Sequence, residues 1–176
     1  MNIKTKVTLV LSILLLSTST LLSACGRDRC STVDWYTDID CYAERGIRNF
    51  LRQIERGNLN DITLRIYTPI LAWSPLTLEE FIDMSSTDGI IVVEGIQLEE
   101  YIDLLRQLKY VELVPVEEVS TITTWLYYVF EDRHGRRIFD FAAWGENDSV
   151  FINGVEFERN DVFLEIIVPF LPWYLR

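Results

Sequence analysis

Residues 123–157 read TTWLYYVFEDRHGRRIFDFAAWGENDSVFINGVEF, and this stretch decides the fold. Over residues 123–131 both alternating sets of positions are apolar, as in a strand buried on its two faces. Asp132-Arg133-His134-Gly135 is a turn, and residues 137–144 return as a second strand. Gly145-Glu146-Asn147-Asp148 turns the chain again. Val150-Phe151-Ile152 and Val155-Glu156-Phe157 flank Asn153-Gly154, two residue types that accept the positive φ a tight hairpin needs. Four strands joined by such short turns make an antiparallel meander.

Working outward, residues 160–169 read as a last helix capped by Asn160 or Asp161. The tail Phe170-Leu171-Pro172-Trp173-Tyr174 is too apolar to be free and is expected to dock. Upstream, residues 110–117 suggest a strand ending near Pro115. Leu98, Tyr101, Ile102 and Leu105 recur at helical spacing, and residues 90–94 form a short apolar strand. Thr77-Leu78-Glu79-Glu80 is a capping box, with Leu76 and Phe81 placed as a hydrophobic staple. Residues 76–84 and 96–104 share five of nine positions. The 20-residue spacing does not recur, so the echo marks two amphipathic helix starts and not a solenoid. Residues 61–67 alternate as a strand. A first helix, from Tyr42 to Gly57-Asn58, carries Ile47, Phe50, Leu51 and Ile54 on one face. Helices before and after a short-turned meander predict one α+β domain over residues 42–176, an antiparallel sheet with helices packed on one face.

Residues 1–24 have a different character. Lys4 and Lys6 supply a positive start, residues 7–16 are apolar apart from Thr8 and Ser12, and Leu22-Ser23-Ala24-Cys25 follows. The apolar run is shorter than the ~20 residues a membrane-spanning helix needs, and the order of parts is that of an export signal. Leu22-Ser23-Ala24-Cys25 resembles the lipobox of bacterial lipoproteins. The resemblance implies a diacylglyceryl thioether on Cys25 and cleavage before it. Residues 25–41 are then a lipidated tether that anchors the domain in the cell membrane, facing away from the cytoplasm. Gly26 leaves an outer-membrane destination open if the envelope has two membranes. The runs Tyr127-Tyr128-Val129-Phe130-Glu131-Asp132, Phe139-Asp140-Phe141-Ala142-Ala143-Trp144-Gly145 and Val150-Phe151-Ile152-Asn153-Gly154 are similar to small uncharacterised lipoproteins of Gram-positive bacteria. That similarity brings no activity with it.

Cysteine count fits this scheme. The chain has 3 Cys, and with Cys25 acylated, Cys30 and Cys41 remain as a candidate disulfide worth about 3 kcal/mol in the chain-entropy account. Charge sets further bounds. Lys4 and Lys6 are the only charged residues of the leader, so its removal takes the net charge from −11 to −13. An acidic domain repels nucleic acid, which is not expected as a partner.

Few residue sets suggest chemistry. The single His134 sits in a turn, where a general base has no orienting partner. One His and two spare Cys do not make a zinc site, and Glu146-Asn147-Asp148-Ser149 lacks the spacing of a calcium loop. No metal or cofactor is expected beyond the lipid. Glu79/Glu80 and Glu99/Glu100 are paired carboxylates of the kind glycoside hydrolysis uses, but first helical turns favour acids for electrostatic reasons alone. Trp125, Tyr127, Tyr128, Phe139, Phe141 and Trp144 are core or cross-strand pairs before they are a sugar-stacking platform. Arg45, Arg48, Arg52 and Arg56 fall within about 80° on a helical wheel. They form either a solvated face paired with acids such as Glu44 and Glu55 or a contact surface for anionic head groups or wall polymers. The expected function is a non-enzymatic binding or interaction module, with an envelope protein, peptide or glycan as partner. A structural envelope lipoprotein and a carboxylate-dependent wall or glycan hydrolase are the alternatives.

Overall fold

In the computed structural model, residues 39–68, 76–85, 89–116, 124–144 and 149–173 are described, without the side chains of Ile39, Asp40 and Trp144. They belong to one compact unit that begins at Asp38. The leader, Cys25, Gly26, Cys30, most of the tether and the turn 145–148 lie outside the described residues.

The protein is α+β. Six strands form one antiparallel sheet: β1 (Ile62–Tyr67), β2 (Ile90–Glu94), β3 (Thr124–Asp132), β4 (Arg137–Trp144), β5 (Ser149–Ile152) and β6 (Val155–Glu158), in the order β2-β1-β3-β4-β5-β6. The meander β3–β6 is the one read from the sequence, and β1 attaches to its β3 edge with Leu64 opposite Phe130. The last hairpin turns on Asn153 and Gly154 at φ 52° and 79°, the pair of positive values that a type I′ turn demands.

Strand β3 buries both faces. Leu126, Tyr128 and Phe130 point into the main core, while Tyr127 and Val129 belong to a second cluster on the other side. Helix α1 (Ile39–Glu55) covers the first face. Its Ala43, Ile47, Phe50 and Ile54 are buried there, and the Phe50 ring lies 4.4 Å from Phe130 and 5.4 Å from Phe139. Such tilted and edge contacts suit the ring quadrupoles. The helix takes in residues 39–41, which the sequence reading gave to the tether. Cys41 is itself buried, although it falls on the side of the helix away from Ile47, Phe50 and Ile54 and is not part of the main core.

The remaining helices divide between the faces. The capping box forms at α2 (Leu78–Ser85): Thr77 N donates to Glu80 Oε2 at 2.9 Å, and Glu80 N donates to Thr77 Oγ1 at 3.2 Å. This helix crosses to the second face, where Phe81 packs with Tyr127, Val129 and Ala142. Helices α3 (Gly95–Glu99) and α4 (Ile102–Leu105) return to the main core through Leu98 and Leu105. The two echoing segments therefore serve opposite faces. Their registers differ as well, because α3 starts at Gly95 with Gln97 accepting from Glu94 N, ahead of the position matching Thr77.

Three expectations need correction. The helices do not all pack on one face of the sheet: β3 is apolar on both sides, and α2 covers the second. Residues 110–116, the described part of the strand expected at 110–117, do not form one. A 3-10 turn ends at Tyr110, and the chain then runs extended along β6 with one bridge, Pro115 to Phe157. Glu158 N donates to Val114 O at 2.8 Å. Proline has no N–H to continue the ladder. The last helix is also shorter than expected: α5 spans Val162–Glu165, and a 3-10 turn follows at Val168–Phe170. Asn160 Oδ1 accepts from Val162 N at 3.2 Å, as a capping residue does. The tail docks through Leu171, which is buried, and Phe170, whose ring lies 4.9 Å from Tyr101. Trp173 stays 83 % exposed.

Where α1 crosses β4 there is no room for a side chain. A Cβ on Gly46 would lie 2.5 Å from Asn153 Nδ2, 2.9 Å from Phe139 Cβ and 3.0 Å from Ile138 O. Gly46→Ala is expected to lift α1 from the sheet and cost about 1–3 kcal/mol, the usual range for overpacking. A urea midpoint unchanged from the parent protein would refute the close approach.

Candidate functional site

The tip of the β3–β4 hairpin is built around one carboxylate. Asp132 N donates to Arg136 O at 2.9 Å, and Gly135 N donates to Asp132 O at 2.8 Å. The Asp132 side chain then accepts from His134 N at 2.8 Å, from Arg136 N at 3.0 Å and from the Arg136 guanidinium, whose Nη2 approaches to 2.7 Å. Arg136 and the backbone donors hold the Asp132 carboxyl down from 3.8 to about 2. Arg133 is left over: its Nε donates to His134 Nε2 at 3.2 Å, and it has no carboxylate partner among the described residues.

This tip stands beside α1. Asn49 and Gln53 of the helix, Asp61 and Ile62 at the start of β1, and Asp132, Arg133, His134, Arg136, Arg137 and Ile138 of the hairpin enclose a cleft of about 620 Å³. Most of these side chains are polar or charged. Arg137 ties cleft to sheet: its Nη1 contacts Asp140 Oδ2 at 2.5 Å, and its Nη2 donates to the Tyr42 hydroxyl of α1 at 3.4 Å. Burial pulls the Arg137 guanidinium down, but the adjacent Asp140 charge and hydrogen bond outweigh it and leave it raised. Asp140 is buried and also accepts from the Tyr127 hydroxyl at 3.2 Å. Burial first, then the Asp140 charge, pushes the Tyr127 phenol up, which keeps it a proton donor to that carboxylate.

The arginine stripe takes the place its spacing predicted. Arg45, Arg52 and Arg56 are exposed and Arg48 is half-buried. Arg48 pairs with Glu44 at 3.7 Å, and Arg52 Nε donates to Arg48 O at 3.3 Å. Arg45, Arg52 and Arg56 have no carboxylate partner among the described residues. At about 100° per residue these three stand opposite the buried face of α1. Asn49 and Gln53 flank them on the cleft side, and Glu44 and Glu55 lie beyond Arg48 on the far side. The sequence reading missed Arg133 and the cleft. Residues 49 and 133 are far apart along the chain, and only the seating of α1 on β4 brings them together.

Other sequence candidates scatter. His134 is exposed at the hairpin tip, as its turn motif implied. Glu79 and Glu80 are exposed in the first turn of α2, and the Thr77 backbone and hydroxyl hold the Glu80 carboxyl low. Glu99 and Glu100 are exposed too, but at the end of α3 and not in a first turn as expected, because that helix starts early, at Gly95. Tyr128, Phe139 and Phe141 are fully buried, Tyr127 lies under α2, and Trp125 alone of the described set is half-exposed. The Tyr128 hydroxyl is spent on Phe163 O at 2.9 Å. Cys41 is disulfide-bonded, and the other half of the bond lies outside the described residues. Among the described residues no group of three or more His, Cys, Asp or Glu is placed to hold a metal ion, and no helix is long and apolar enough to cross a membrane.

The tip has a pH signature. A carboxyl lowered by folding stabilises the folded form above its unfolded value and stops doing so as pH falls through its folded value. The Asp132 side-chain carboxyl carbon is expected to titrate in NMR with a midpoint near 2, and the His134 and Arg136 amide resonances should move with it. An Asp132 midpoint near 3.8 would mean the carboxylate does not organise the tip. Comparison with known proteins finds no matching family model, no matching curated protein and no matching solved structure.

Proposed function

We propose that this chain is a lipid-anchored extracytoplasmic protein that acts as a non-enzymatic binding or interaction module. The observation that carries the reading is the order of parts at the amino terminus: Lys4 and Lys6, an apolar run, small residues, then Cys25. Residues 1–24 are removed in this reading, and Cys25 becomes the acylated terminus. Two acyl chains supply stable anchoring where one is marginal. A disulfide at Cys41 supports an oxidising compartment. With Cys25 occupied by lipid, Cys30 is its partner.

The cleft between α1 and the hairpin tip is the surface offered to a partner. It presents amide, guanidinium and imidazole groups, which suit the oxygen-rich surface of an envelope protein, peptide or glycan. A hydrolytic reading finds less support there. Asp61 and Asp132 both line the cleft, yet Asp132 is driven down, and its oxygens are occupied by Arg136 and the tip backbone. A general acid needs the opposite shift.

Mass spectrometry of the protein from its native host tests the reading directly. The expected species starts at residue 25, carries a diacylglyceryl group on that cysteine and yields a disulfide-linked peptide pair containing Cys30 and Cys41. An unmodified Cys25, or a retained leader, overturns the proposal. Cys25→Ser is expected to leave the leader in place and the protein without a lipid.

A further inference from the structure

We infer that the outward face of α1, together with Arg133 at the hairpin tip, rests on the anionic head-group surface of the membrane that holds the anchor. The inference builds on the proposed acylation of Cys25 and adds an orientation to it.

The first argument is where the cations are. Among the described residues, Arg45, Arg48, Arg52 and Arg56 occupy one face of one helix, and Arg133, Arg136 and Arg137 stand on the neighbouring hairpin across the cleft. Arg48, Arg136 and Arg137 are neutralised by Glu44, Asp132 and Asp140. Arg45, Arg52, Arg56 and Arg133 are exposed and have no carboxylate partner among the described residues. In a chain with 27 acidic and 16 basic residues, random placement would put acids among them. Instead the acids of α1 only border the stripe on its Arg48 edge, where Glu44 pairs with Arg48 and Glu55 follows, and Asp132 is consumed in the hairpin tip. Asp61 on the cleft wall is the exception.

The second argument is reach. Cys41 lies in the first turns of α1, the helix that bears the stripe, and it is disulfide-bonded. With Cys30 as partner, the path from the lipid to α1 is five residues plus one disulfide. At ~3.5 Å per extended residue and ~5.5 Å across the bridge, that path is at most about 23 Å. Cys41 is thereby confined to within about three screening lengths of the head groups, each about 8 Å at physiological salt, and Arg45 stands one turn beyond it. A short tether makes the second contact effectively intramolecular, so weak electrostatic attraction suffices. Guanidinium groups match phosphate oxygens with paired donors.

Arginine footprinting reads this contact. The full-length lipidated protein is placed on vesicles of phosphatidylcholine alone or of an equimolar phosphatidylcholine–phosphatidylglycerol mixture. It is treated with an arginine-selective dicarbonyl reagent and mapped by mass spectrometry. On the anionic vesicles Arg45, Arg52, Arg56 and Arg133 are expected to react several-fold more slowly than on neutral ones. Arg106 and Arg159, which pair with Asp103 and Asp161 elsewhere on the surface, should be unchanged. Arg52→Glu with Arg56→Glu, both exposed, should abolish the protection of Arg45 and Arg133. Equal rates on both vesicles with Cys25 acylated overturn the orientation and leave the anchor standing. Protection that appears only when soluble polyglycerol phosphate is added over neutral vesicles also overturns it, in favour of a wall polymer. The mass of Cys25 in the same digest reports on the anchor independently.

Discussion

The structure depends on one constraint: β3 sits in the interior of the sheet and must bury both of its faces. Neither face can be left to water when Tyr128 and Phe130 point one way and Tyr127 and Val129 the other. A single helical layer cannot meet that demand. The chain answers with α1 and the α3–α5 group on one side and the short α2 on the other. The second cover is partial, and polar pairs finish the job. Asp140 is buried between Arg137 and Tyr127, Arg65 pairs with Glu131 at 2.8 Å, and Ser149 donates to Glu156 within the sheet. A buried charge is tolerable only when it is paired and hydrogen-bonded; Asp140 and Glu131 each meet an arginine, and Glu156 accepts from the Ser149 hydroxyl.

The same constraint makes the cleft. To cover β3 and β4, α1 must lie close enough to β4 that only Gly46 fits at the crossing. That approach sets the flank of α1 beside the β3–β4 turn, where Asn49 and Gln53 meet Arg133 and His134. The candidate site is therefore a consequence of core packing: the polar walls are what two buried elements present where they emerge.

Much of the architecture was legible because it is local. Alternation over residues 123–131, the Asn153-Gly154 turn, the Thr77–Glu80 capping box and the apolar face of α1 are short-range patterns, and each reappears in place. What was not legible is non-local. An amphipathic octamer such as α2 announces that it buries a face, not which side of a sheet it will choose. The extended run beside β6 read as a strand because its composition is strand-like, and Pro115 reduces its pairing to one bridge. The arginine stripe was visible as spacing on one helix. Its fourth unpaired neighbour, Arg133, looked like an ordinary turn residue, because a turn motif carries no information about the helix packed beside it.

In the proposed orientation the acidity of the domain acquires a second role. A body with net charge near −13, reached when the leader is removed, is pushed away from an anionic leaflet. The patch of unpaired arginines is drawn toward it. Attraction at one pole and repulsion over the rest form a torque, and a torque orients more strongly than either force alone. A uniformly basic domain would adhere to head groups through any of its faces. An acidic domain with one basic face adheres through that face only. The excess of acids then does more than keep the protein soluble: it excludes wrong orientations, and it leaves the edge strand β2, with Val92 exposed, and the half-exposed Trp125 turned away from the membrane face that bears the arginines.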